Sequence, residues 1–307
     1  VELIAEPIWR CLVATAAALT PGILLILWFR WQRREKPNPV FPDLLRGPGQ
    51  SLRKQLCRID GRIHDLLVFL IVVPVAAVLW TLGPVLARGG RVGLTDYLQL
   101  AIPLVLLLSL PTMIYFRSLR ERAQFRLALD AALAVGRELN LLMPHGYHVF
   151  HDFQDEGQKV DHVVVGPSGV HAVTSKGRPR PVKGGVGLDA KVIYDGEALY
   201  FPGNAKETAA IARVRQQAEY LAGWLSSEVG ERILVEPALA LPGWFVERKK
   251  ADDLILLSGQ SQHYARILKG PEVLEEDLLN RIVKLLEGKC REAPPPGPRR
   301  GARRRRK

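Results

Sequence analysis

Cysteine is scarce in this chain. Cys11, Cys57 and Cys290 are its three cysteines, far apart and with no C-x-x-C pair. That spacing excludes a disulfide framework and a cysteine-built zinc site. Acidic charge is also in short supply: 31 Asp and Glu stand against 43 Lys and Arg, a net +12. No internal repeat is present. The first apolar run has no small-residue cleavage site at its end, and its charge order is wrong for a secretory signal. Glu2 and Glu6 precede it, with Arg10 the only early cation, while Arg30, Arg33, Arg34 and Lys36 follow. It reads as a retained anchor whose start lies outside.

Long uncharged runs are what the first third has instead. They predict membrane helices at about 9–29, 66–87 and 98–116, each near the ~20 residues that cross a bilayer. Pro21, Pro74, Pro84, Pro103 and Pro111 fall inside them, and membrane helices tolerate such prolines. Arg46, Arg53, Lys54, Arg58 and Arg62 extend the basic loop before the second run, and Arg117, Arg120, Arg122 and Arg126 follow the third. By the positive-inside rule this loop and everything after Phe116 lie in the cytoplasm, making a multi-pass protein of the cell membrane. The expected domains are a membrane region, 1–117, a soluble cytoplasmic domain, 118–290, and a disordered basic tail, 291–307, too poor in apolar surface to order itself. Within the first loop, Leu52, Leu56, Ile59 and Ile63 recur at helical spacing. They fit an amphipathic helix on an anionic leaflet or a solvated connector. The arginine tail reads as a solvated run, a phosphate contact or a lipid contact worth ~1 kcal/mol per cation.

In the soluble part the apolar periodicity predicts a helix from Ser118 to Leu142 and a strand from Tyr147 to Phe153. A hairpin follows, with Val163 to Val165 and Val170 to Val173 flanking the turn Gly166-Pro167-Ser168-Gly169. Further strands are expected at Lys191 to Tyr194, Ala198 to Tyr200, Ile233 to Leu241 and Asp253 to Leu257, and helices at Ala205 to Ser226, Ser261 to Leu268 and Glu272 to Leu286. This order argues for an α/β domain with a mixed central sheet flanked by helices. Asp161 on one hairpin strand and Lys176 on the other could reach one site if the strands pair in the simplest register.

The run Gly136 to Glu138, the strand YHVFHDF and the string VDHVVVGPSGVHAV followed by Lys176 resemble the nuclease-related domain family, NERD, over roughly Ala128 to Gly270. The resemblance implies a restriction-endonuclease-like fold of PD-(D/E)xK type and a divalent-metal-dependent nuclease acting on DNA. It carries over Glu138 as the helix acid, Asp161 as the strand acid and Lys176 as the lysine, with Mg²⁺ held by Asp161 and Glu138. Gln217 falls where that family often has a glutamine. Thr174 stands where the pattern calls for a second acid, two residues before Lys176. A hydroxyl there removes one negative charge and one ligand, so the site is degenerate. Glu207, Glu219 or Asp189 could supply a relocated acid. The alternative is a catalytically inactive domain that binds nucleic acid or acts as a scaffold at the cytoplasmic membrane. Lys176, Arg178, Arg180 and Lys183, with Gln217, are the candidate nucleic-acid contacts, the cations being otherwise a solvated loop. His145, His148 and His151 are not a zinc triad, because His148 and His151 alternate to opposite strand faces. His162 and His171 read as ordinary strand residues.

Overall fold

A computed structural model describes residues 44–87, 93–179, 190–203, 205–250, 252–258 and 270–291, with Thr20, Leu24, Leu27, Tyr264 and Ile267. Outside it fall nearly all of the expected first span and of the helix Ser261 to Leu268, together with Arg180, Lys183, Asp189 and the tail beyond Arg291. The chain divides into two compact units, Val1–Pro37 with Gln55–Gln124, and Asn38–Lys54 with Phe125–Lys307.

Two long helices, α1 (Gln50–Ala87) and α2 (Leu94–Asn140), supply the first unit with their parts from Gln55 and up to Gln124, the remainder of each belonging to the second unit. The basic segment after Gln50 is helical and runs unbroken into the apolar stretch. Two stretches, Gln50–Val78 and Ala101–His145, are long and apolar enough to cross a membrane by length and composition. Ile71, Val75, Ile102, Val105, Leu106, Leu110, Met113 and Phe116 are exposed along them. That is far more apolar surface than scattered single side chains leave in water. Arg62 pairs with Glu121 at 3.2 Å and Arg122 with Asp60 at 2.5 Å.

The second unit holds two mixed sheets. The larger runs β1 (His148–Asp155), β2 (Gln158–Gly166), β3 (Gly169–Ser175), β7 (Val235–Leu241), β9 (Ile255–Ser258). Its first two pairings are antiparallel and its last two parallel. The smaller runs β6 (Ala205–Glu207), β5 (Leu199–Phe201), β4 (Lys191–Tyr194), β8 (Phe245–Arg248). One face of the large sheet packs Phe150, Phe153, Val163, Val165 and Ala172 against α3 (Ala209–Val229) and α4 (Glu276–Lys289) through Leu221, Leu225, Ile282 and Leu286. The other face packs Val149, Val164, Val173, Ala238 and Ala240 against Val135 and Leu139 of α2, with Tyr264 and Ile267. The first turns of α3, through Ile211 and Val214, cover the small sheet. The result is the mixed α/β architecture read from the sequence, helices flanking mixed sheets.

Three expectations need correction. Ala205–Glu207 opens no helix; it is the edge strand β6, paired with β5 through Tyr200 and Lys206, and α3 starts only after Thr208. Sheet pairing there overrides good helix formers. Strand β8 was not foreseen: its side chains are half-buried or exposed and carry no alternation. Helix α4 begins four residues later than expected, at Glu276. Side chains of β1 do not alternate throughout, since Phe153 packs with the α3 side and Val149 with the α2 side. Asp152 breaks the alternation by adopting φ 56°. A left-handed residue inside a strand turns the chain over locally, and Asp accepts that backbone better than most side chains do.

Candidate functional site

The hairpin β2–β3 closes through Gly166-Pro167-Ser168-Gly169. Gly169 has φ 127°, and a Cβ on Gly166 would lie 2.2 Å from the Tyr147 ring, so both positions need glycine. The register pairs His162 with Val173 and Val163 with Ala172. Continued toward the open end, it sets Asp161 across from Thr174 and Lys159 across from Lys176. Pairing with β7 puts Thr174 beside Leu239 and Ser175 beside Ala240, so Thr174 faces α3 and Ser175 faces α2.

The structure does not join Asp161 to Lys176 by a hydrogen bond or ion pair among the described residues. Asp161 Oδ2 accepts from the Ser175 N–H and hydroxyl, each at 3.1 Å, and Asp161 Oδ1 lies 3.2 Å from Lys159 Nζ. The same ammonium is 3.4 Å from Asp152 Oδ1, a carboxylate with only 2% of its side chain exposed. Burial pushes the Asp161 carboxyl up, but Lys159, His162 and the Ser175 hydrogen bond outweigh it and hold the group below the usual range. Thr174 donates its hydroxyl to Gln217 Oε1 at 2.5 Å, and Gln217 Nε2 donates to the Lys159 carbonyl at 2.5 Å. Thr174, Gln217, Lys159, Asp161 and Ser175 therefore form one continuous polar circuit tying α3 to both hairpin strands. Gln217 is buried in this circuit, not on a helix surface.

Lys176 belongs to a different group. Its Nζ lies 2.6 Å from Glu207 Oε1, and Arg178 Nη1 donates to Glu207 Oε2 at 3.0 Å. The Arg178 guanidinium also sits 3.9 Å over the Phe201 ring, with its carbonyl accepting from the Trp244 indole N–H at 3.2 Å. Two cations share one acid, leaving a local excess of positive charge on side chains 40% and 30% exposed. Of the two replacement acids among the described residues, Glu207 and Glu219, Glu207 is thus the one that reaches Lys176. Glu219 lines an open groove of about 730 Å³ with Asp155, Tyr220 and Trp224 instead.

Glu138 lies on α2, where its Oε2 is buried without a hydrogen-bond partner among the described residues. Burial, and then the nearby Glu138 charge, push the Tyr264 phenol up. No three His, Cys, Asp or Glu side chains among the described residues stand together as a metal site. The ligand set implied by resemblance, Glu138 and Asp161 with an acid at 174, therefore does not fit a divalent ion here: position 174 is neutral and already bonded, and Asp161 is engaged by an ammonium.

Two histidine groups lie nearby. His151 and His162 meet at 2.9 Å through their Nδ1 atoms, and His151 Nε2 is 3.2 Å from Asn140 Oδ1. With Asn140 Oδ1 accepting from His151 Nε2–H, His162 Nδ1–H donates to His151 Nδ1. This tautomer leaves the His162 Nε2 lone pair unpartnered. Burial lowers His151 to about 4 and His162 to about 3, so both are neutral near pH 7. At the turn, Ser168 Oγ is 3.2 Å from His171 Nε2, and His171 Nδ1 is 3.2 Å from Glu236 Oε2. This line has the order of a nucleophilic triad, yet Ser168 donates its proton to the Ile267 carbonyl at 2.8 Å. With Tyr147 donating to Ser168 at 2.8 Å, the group fastens the turn.

Lys159 and Asp152 were absent from the sequence-based site. Lys159 stands two residues before Asp161, a spacing that places both on one strand face, and this was the available signal. Nothing in the sequence marked Asp152, whose role depends on its left-handed backbone.

Residues 129–242 match the family model of NERD, the nuclease-related domain. The match spans Glu138, Asp161, Thr174, Lys176 and Gln217. No curated protein and no solved structure matches the chain.

Proposed function

We propose that this nuclease-related domain binds nucleic acid at a membrane and does not cut it through the metal set that its family resemblance implies. The observation that carries the reading is the bond between Thr174 and Gln217. Where a second acid would hold a metal, a neutral hydroxyl is spent on a helix glutamine. The circuit around it leaves Asp161 bound to an ammonium and to Ser175. Outside this circuit, Lys176 and Arg178 offer positive charge at the open end of the hairpin, and the chain continues into Arg180 and Lys183. Such cations contact phosphates irrespective of sequence. The two long apolar helices and the basic residues flanking them support a bilayer location with the domain on the cytoplasmic side.

The full chain in detergent micelles, titrated with fluorescent duplex and single-stranded DNA, tests this reading. Binding should weaken roughly tenfold to a hundredfold between 50 and 200 mM salt if two to four phosphates are contacted. Failure to bind DNA at low salt would refute it. A second reading has one observation behind it. Glu207, 2.6 Å from Lys176, could act as the relocated acid of a metal-dependent nuclease. Mg²⁺- or Mn²⁺-dependent cleavage lost in both Asp161→Ala and Glu207→Gln would establish that reading in place of the first.

A further inference from the structure

The open groove of about 730 Å³ beside Glu219 is lined by the β1–β2 turn, one face of α3 and the end of α4. Asp155 and Glu156 come from the turn, Glu219 and Glu228 from α3, and the one cation among the lining residues is Lys289 of α4. Four carboxylates against one ammonium run counter to a chain of net charge +12. Glu156, Glu219 and Glu228 are exposed and form no ion pair among the described residues. Tyr220 and Trp224, one helical turn apart, set aromatic surface among these acids. The groove already receives one cation in this way: the Lys289 ammonium pairs with Asp155 and lies 5.9 Å from the centre of the Trp224 ring. Gly223 stands in mid-helix on the same face, where a Cβ would meet nothing within 4 Å. Packing does not require glycine there, and a helix interior disfavours it, yet its missing side chain leaves the groove open.

We propose that this groove is the docking site of the chain's own basic segment, Arg299 to Lys307, which carries six arginines and one lysine. Guanidiniums suit it, because they are planar, stack on aromatic faces and pair with carboxylates. Reach favours this segment over the other basic stretches. Lys289 lines the groove, and seven residues separate Arg291 from Arg299, a span of ~30 Å at most. The loop after Lys176 is instead fastened at Arg178, to Glu207 and over the Phe201 ring. Each exposed ion pair contributes little alone. A short tether, however, raises the local concentration of the segment to about the millimolar range, so several weak contacts together hold it. An occupied groove withholds these cations from phosphates and lipid headgroups. The inference concerns the groove alone and is independent of nucleic-acid binding.

The test uses the full chain in detergent at low salt, with Cys11→Ser and Cys57→Ser, and with bimane attached through Ala302→Cys; Cys290 is buried. Tryptophan quenches bimane only near contact, so brightness reports whether the segment lies against Trp224. With the groove occupied more than half the time, as tethering allows, Trp224→Phe should brighten the label about twofold. Glu156→Gln, Glu219→Gln and Glu228→Gln combined should brighten it equally. So should Gly223→Gln, which fills the groove without changing its charge. Salt at about 1 M, where charges are screened beyond ~3 Å, should do the same. Dilution by about tenfold should change nothing, since a tethered segment docks independently of protein concentration. Trp224 also packs on Phe153, so the exposed glutamate variants decide the matter if Trp224→Phe disturbs the fold. A label already bright in the parent chain overturns the proposal, as does quenching that survives the triple glutamine variant. Quenching lost on dilution also overturns it, because the segment in the groove would then come from a second copy.

Discussion

The open end of the hairpin has an inner and an outer half, and they use charge in opposite ways. In the inner half, Lys159 faces two aspartates and every named polar partner is satisfied within the fold. In the outer half, Lys176 and Arg178 share the single acid Glu207 and remain part-exposed. The inner circuit holds strands and helix together, and its groups are desolvated enough to matter for stability. The outer clamp is wetted, so its ion pairs contribute little to folding, while its surplus charge remains available to an anion. Proximity along the motif therefore does not make one site: Asp161 and Lys176 belong to different networks.

Removing Asp152 should separate the halves most sharply. Asp152→Ala strips a buried carboxylate from Ser51, Gln154 and Lys159 and should cost about 3–5 kcal/mol in chemical denaturation. DNA affinity of the remaining folded protein should not change. Acid should act on the inner half next. His151 and His162 are held neutral by burial, at about 4 and about 3, whereas an unfolded histidine titrates near ~6.5. The unfolded chain therefore binds more protons between these values, and stability present above pH ~6.5 is lost progressively down to pH 4 and below. A fall in Tm of roughly 5–10 °C between pH 7 and 4.5 is expected, and His162→Gln should flatten it. Asp161, with its pKa held down, adds a loss at still lower pH, as the pH falls past the ordinary carboxylate value toward its own.

Gln217→Ala should cost less, about 1–3 kcal/mol, by leaving the Lys159 carbonyl and the Thr174 hydroxyl without their partner. The smallest stability effect belongs to the outer half. Lys176→Ala should change unfolding by under ~0.5 kcal/mol yet weaken DNA binding and shallow its salt dependence by about one contact. If Lys176→Ala destabilised the fold as much as Gln217→Ala, the distinction between the halves would fail.

Much of this fold was legible in the sequence because its signals are local. Valines on either side of Gly166-Pro167-Ser168-Gly169 specify the hairpin, and Ala238 to Leu241 reads as a buried strand for the same reason. Strands β6 and β8 were not legible, since a short edge strand is defined by its neighbour and not by its own pattern. The grouping of the candidate residues was not legible. Alternation predicts which strand face a side chain takes, and the left-handed Asp152 interrupts that rule where the site lies. Side-chain reach is equally invisible: Lys159 bridges two strands, and Glu207 reaches Lys176 from the second sheet.

One assay bears on the central claim more directly than any other. The full chain is incubated with labelled duplex and single-stranded DNA in Mg²⁺, then in Mn²⁺, and binding and strand integrity are read from the same samples. The account predicts salt-sensitive binding with the DNA left intact. Metal-dependent cutting by the wild type that disappears in Asp161→Ala would contradict it, because Asp161 would then be a working ligand and not one member of a closed structural circuit.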